Sequence, residues 1–160
     1  MYMGDELGTL EIQLSDSEKD SVISRFKEIV NNGAYTEDWT YASGNEKNER
    51  FRQIYICGEE EYKTVINKLS KENFYEAERN NSPRAKSDLR VAKEIMYKFI
   101  LEETFAFRYP EEEEEKKIFV YVKITFPYNC EDSLIIVSFH ESLRSLEDEL
   151  ENKMRAKGQS

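Results

Sequence analysis

Two apolar runs of strand length, residues 116–126 (KKIFVYVKITF) and 133–140 (SLIIVSFH), flank a short polar segment, PYNCED at 127–132. Branched and aromatic side chains suit a pleated surface, and Pro, Asn and Asp supply turn geometry. The pair reads as a β-hairpin. A lone hairpin is marginal in water, so its apolar face needs further strands or a helical layer. That requirement shapes the reading of everything else in the chain.

The rest of the chain offers both. Residues 9–14 (TLEIQL) alternate apolar and polar positions, which reads as a half-buried strand. Ser15 and Glu18 have capping-box spacing, and Val22, Ile23, Phe26, Ile29 and Val30 follow at helical intervals up to Asn32-Gly33. Residues 34–42 (AYTEDWTYA) and 51–57 (FRQIYIC) read as two more strands, joined by a polar loop at 43–50. Glu59, Glu60 and Glu61 favour a helix start, with Tyr62, Val65, Ile66 and Leu69 as its stripe. Residues 71–82 read as a connection. The spacing of Leu89, Ala92, Ile95, Met96, Phe99 and Ile100 predicts a long helix from about 84 to 105. Leu143, Leu146, Leu150 and Met154 predict a last helix.

The expected order is β-α-β-β-α-α-β-β-α. This is an α+β fold: an antiparallel or mixed sheet of about five strands, made of two hairpins and an N-terminal strand. Four helices pack mainly on one face. A chain of 160 residues fits one domain spanning 1–160, with 1–8 and 157–160 expected as flexible ends.

Charge bears on partners. With 23 Lys+Arg and 33 Asp+Glu the net charge is −10, which repels nucleic acid and anionic membranes and attracts basic proteins. The N-terminus lacks the basic start and apolar run of a signal peptide, so a cytoplasmic location is expected. Cys57 and Cys130 form neither a disulfide framework nor a zinc pattern, and both are expected to be reduced and partly buried.

Motifs for chemistry are scarce. His140 is the only histidine, which excludes paired-histidine sites. No glycine-rich phosphate loop and no nucleophile elbow is present. Acids beside Cys57 and Cys130 oppose a thiolate at either position. Arg79, Arg84, Lys86, Arg90 and Lys93 form a basic island, but Glu76, Glu78, Asp88 and Glu94 interleave with them and predict ion pairing. No metal or other cofactor is expected.

What remains is an acidic, aromatic surface. Asp38, Trp39 and Tyr41 form one group, Glu111, Glu112, Glu113, Glu114 and Glu115 a second, and Tyr128, Glu131 and Asp132 a third. Aromatic anchors beside carboxylates suit the docking of a basic protein. The leading expectation is a non-catalytic inhibitor of the immunity-protein or mobile-element type, which neutralises a basic partner such as a toxin or nuclease. One alternative is a small-ligand or nucleotide-processing domain, with a cleft between sheet and long helix lined by Tyr97, Arg90 or His140. Another is a subunit of a larger complex, meeting its partner through the stripe of the last helix.

Overall fold

A computed structural model describes residues 11–37, 45–81, 83–128, 130 and 132–158. Among the described residues six strands form one mixed sheet: β1 (Glu11–Ile12), β2 (Tyr35–Glu37), β3 (Phe74–Arg79), β4 (Ile95–Ala106), β5 (Glu115–Thr125) and β6 (Leu134–Ser142). Their order across the sheet is β1-β3-β4-β5-β6-β2. All neighbours are antiparallel except β2, which lies parallel to β6. Six α-helices of the described residues accompany them: α1 (Asp16–Asn31), α2 (Asn45–Ile54), α3 (Glu59–Lys68), α4 (Pro83–Ser87), α5 (Leu89–Ala92) and α6 (Leu146–Gly158).

Several local expectations hold. Ser15 caps α1, accepting from the Glu18 amide while the Glu18 carboxylate accepts from the Ser15 amide. Gly33 follows α1 at φ 74°, a conformation that glycine adopts without steric cost. The β5–β6 hairpin forms. The α3 stripe of Tyr62, Val65, Ile66 and Leu69 is buried.

The expected long helix does not form. Asp88 caps the short α5, and residues 95–106 are instead the central strand β4. The stripe from Leu89 to Ile100 fits helical spacing, but residues 95–101 (IMYKFIL) are a nearly unbroken apolar run. β4 pairs along its length with β5 and also with β3, and Met96 to Leu101 are all buried. Burial on both faces favours such a run as a strand. Residues 74–79, expected as connection, supply the partner β3.

Residues 51–57 are not a strand either. Asn45 to Ile54 form α2, so the second half of the expected loop is helical. Glu, Lys, Arg and Gln favour helix there, and Asn48, Phe51 and Tyr55 recur every three or four residues on the buried side. The expected first hairpin is therefore absent. β2 pairs with β6, and Tyr55 makes an isolated bridge with Phe107. Cys57 is buried as expected, but Cys130 is exposed.

Helices cover both faces of the sheet, not mainly one. On the first face α1, α2 and α3 enclose the main core, where Phe26, Phe51, Tyr62, Phe99, Phe105 and Phe139 meet largely edge to face. On the second face Ala85 and Val91 of α4 and α5 pack with Met96, Ile135 and Val137. α6 also lies on this face, over β3 and β4.

Two β-bulges decide which side chains reach the second face. In β6, Lys123 pairs with Ser138 but Ile124 pairs with Ile136, so Val137 is an extra residue. Leu134 and Ile136 face the main core before the bulge, and Phe139 faces it after. The extra residue shifts the alternation and turns His140 to the second face. In β3 the register shifts between Phe74 and Glu76, adding Tyr75.

Among the described residues no helix is long and apolar enough to cross a membrane.

Candidate functional site

Beyond Ile136 the outer edge of β6, away from β5, has no strand beside it among the described residues, and α2 stands there instead. Asn48 is 0% exposed; its side-chain amide donates to the Val137 carbonyl at 3.0 Å, and its carbonyl accepts from the Phe139 amide at 2.9 Å. The residue thus closes the sheet edge as a strand would. It also fixes α2 alongside β6.

A cleft of about 710 Å³ opens between α2, the second face of the sheet and the chain entering α6. Helical spacing presents Lys47, Arg50, Phe51 and Ile54 of α2 to it, and Tyr55 follows just past the helix end. The sheet contributes Tyr75, Tyr121, Lys123, Ser138 and His140, and Arg144 and Glu149 come from the α6 end.

The cleft is cationic in an acidic molecule. Lys47, Arg50, Lys123 and Arg144 line it against two carboxylates, Glu141 and Glu149. Both carboxylates are engaged: Glu149 pairs with Arg144, and Glu141 hydrogen-bonds Tyr55. Among the described residues, Lys47, Arg50 and Lys123 form no ion pair.

A polar row crosses the sheet beneath this cleft. Glu76, Lys98, Lys123 and Ser138 are successive neighbours on β3, β4, β5 and β6. Lys98 is buried and donates to Glu76 at 2.8 Å and to Glu78. Lys153 of α6 joins Glu76 to Glu11, which ties the last helix to β1 and β3. These contacts hold Glu76 and Glu11 below the usual carboxylate range although burial opposes this. Lys123, directly opposite Lys98, has no ion pair among the described residues, although the charges of Glu78 and Glu76 act on it. Burial, and then the Lys98 charge, push its pKa down.

His140 lies opposite Tyr121, ring centroids 5.2 Å apart. Its Nδ1 is 3.0 Å from the Glu141 carbonyl oxygen. A carbonyl only accepts, so Nδ1 carries the hydrogen and Nε2 is the bare acceptor of the neutral ring. Burial lowers the His140 pKa, and Lys47 and Lys123 lower it further; the bond to Glu141 opposes them. The neutral ring therefore dominates at pH 7.

The sequence-predicted residues fall in separate places. Asp38, Trp39, Tyr41 and Glu131 lie outside the described residues. Glu111, Glu112, Glu113 and Glu114 are exposed in the β4–β5 connection, and Glu115 opens β5 opposite Ala106. Tyr128 and Asp132 lie in the β5–β6 turn, at the other end of β5 and about 35 Å away at the usual strand rise. Asp132 pairs with Arg25 at 2.7 Å. Of the alternative trio, His140 lines the cleft. Tyr97 packs on Phe26 on the opposite face, and Arg90 is exposed on α5, paired with Asp88. A smaller hollow of about 450 Å³ does include Tyr97, beside Glu94 and Tyr128. Its carboxylate, Glu94, is already engaged by the Tyr128 amide at 2.8 Å and by Asn80.

Lys47, Arg50, Lys123 and Arg144 were not singled out from sequence. The available signal was period two: Tyr121 and Lys123 share a strand face within an otherwise apolar run. The cysteines offer little chemistry. Burial, then Glu61, pushes the Cys57 thiol up to about 12. Hydrogen bonding to Ser133 lowers the Cys130 thiol despite Asp132, contrary to the expected effect of its acidic neighbours. No cluster of three or more potential metal ligands occurs among the described residues. No family model, curated protein or solved structure matches the chain.

Proposed function

We propose that the protein binds a small anionic molecule in the cleft between α2 and the second face of the sheet. One observation carries this reading: Lys123, half-buried, stands opposite Lys98 and forms no ion pair among the described residues, Glu78 and Glu76 acting on it only from a distance. Like charges directly opposite on a sheet are destabilising, and a partly desolvated cation without a partner adds to the cost. A bound anion supplies the missing partner. Lys47 and Arg50 supply further donors, and Nε2 of His140 accepts a proton or hydrogen bond from the ligand.

The single histidine makes the test direct. Inorganic phosphate is titrated into the protein while the imidazole resonances are followed by NMR. A saturable shift is expected, weakened at least tenfold in the Lys47→Gln/Lys123→Gln double variant. A wild-type response that never saturates overturns the reading.

A second reading is supported by the β4–β5 connection. Its glutamates are exposed, and Tyr109 beside them is 79% exposed. That surface suits the docking of a basic protein, as an inhibitor or immunity protein would dock on a toxin.

A further inference from the structure

We propose that the cleft's ligand is a phosphate monoester carrying an apolar or aromatic group, with its phosphate between Lys47, Arg50 and Lys123 and its apolar body on Ile54 and Leu143. This rests on the anion-binding reading above and specifies the class of molecule.

The argument comes from how the cleft is graded along α2. Lys47 and Arg50 precede Phe51 and Ile54 on the same helical face, and Tyr55 comes directly after the helix. Asn48 fixes the direction, because it bonds Val137 and Phe139 while Tyr55 bonds Glu141 further along β6. The cationic end of α2 therefore lies beside Lys123, Ser138 and His140. The apolar end, about 10 Å away at the helical rise, lies towards Leu143.

Ile54 is 44% exposed and Leu143 is 95% exposed, yet both border the same cleft. A wholly polar anion would leave this apolar end uncovered. At the cationic end, three cations without a carboxylate among them match a phosphate dianion better than a single carboxylate. A tetrahedral phosphate can also accept from several donors at once while presenting an oxygen to Nε2 of His140.

The test compares phenyl phosphate, inorganic phosphate and benzoate by the same imidazole shift. Phenyl phosphate is expected to bind at least tenfold tighter than inorganic phosphate, a gain that needs only about 60 Å² of buried ring. It should also bind at least tenfold tighter than benzoate. The Ile54→Ser/Leu143→Ser variant changes exposed positions. It is expected to reduce the phenyl advantage below threefold and leave inorganic phosphate unchanged. If inorganic phosphate binds but phenyl phosphate binds no tighter, the apolar body is refuted while anion binding stands. Equal binding of benzoate refutes the phosphate. If none of the three binds, the anion-binding reading itself fails.

Discussion

At the scale of single residues, the cleft is governed by what its buried groups lack. His140 faces Lys47 from α2 and Lys123 and Tyr121 from β5, with Glu141 next in sequence. Its pKa in the fold lies below the ordinary value near 6.5, for the reasons of burial and cationic neighbours. The unfolded chain then binds the proton more readily than the folded one. Stability is therefore highest above about pH 6.5 and falls as pH drops through the lower folded value. Urea midpoints at pH 7.5 and 5.5 should differ more for the wild type than for His140→Gln. Glu11 and Glu76 act in the same direction but in a lower window, below about pH 4.5, so they leave the comparison clear. Equal pH sensitivity in the two proteins would count against a strained neutral imidazole. His140 was noticed in the sequence because it is unique. Which face it occupies was not legible, since the bulge at Val137 reverses the alternation that a reader would extend from Leu134 and Ile136.

At the scale of elements, the joint between α2 and β6 depends on one side chain. Asn48→Ala removes both bonds from Asn48 and leaves a buried carbonyl at Val137 and a buried amide at Phe139. The expected loss is about 2–4 kcal/mol, with hydrogen-exchange protection of the Phe139 amide falling most. A loss below about 0.5 kcal/mol would mean that α2 is not held by this contact. Elements whose cause is local were legible in the sequence. Ser15 and Glu18 define the start of α1, and the β5–β6 hairpin follows from two apolar runs and a turn. Elements whose cause is distant were not. Residues 95–101 suit either a buried helix or a buried strand by periodicity, and pairing with β3 and β5 decides between them. Likewise α2 owes its place to β6, nearly ninety positions further along the chain.

At the scale of the whole molecule, a net charge of −10 surrounds a locally cationic cleft. The long-range field repels an anion, and the lining attracts it once inside. Replacing Glu111, Glu112, Glu113, Glu114 and Glu115 by Gln should leave stability within about 0.5 kcal/mol, because these side chains are exposed. It should raise phosphate affinity about twofold at low salt, an advantage lost near 0.5 M salt where the field is screened. The same variant should slow association with a basic protein severalfold if the connection is a docking surface. An unchanged rate would remove that second reading. The acidic composition was legible at once, but it described the exterior. The cationic interior is built from β4, β5, β6, α2 and the approach to α6, which only the folded chain assembles.

The bulge at Val137 has an evolutionary corollary. Excising that one codon would remove the bulge and restore strict alternation through β6, with Phe139 still in the aromatic core and the imidazole still on the cleft side. A lineage could therefore gain or lose this residue through a three-nucleotide indel without turning either half of β6 over, because the bulge absorbs the extra position.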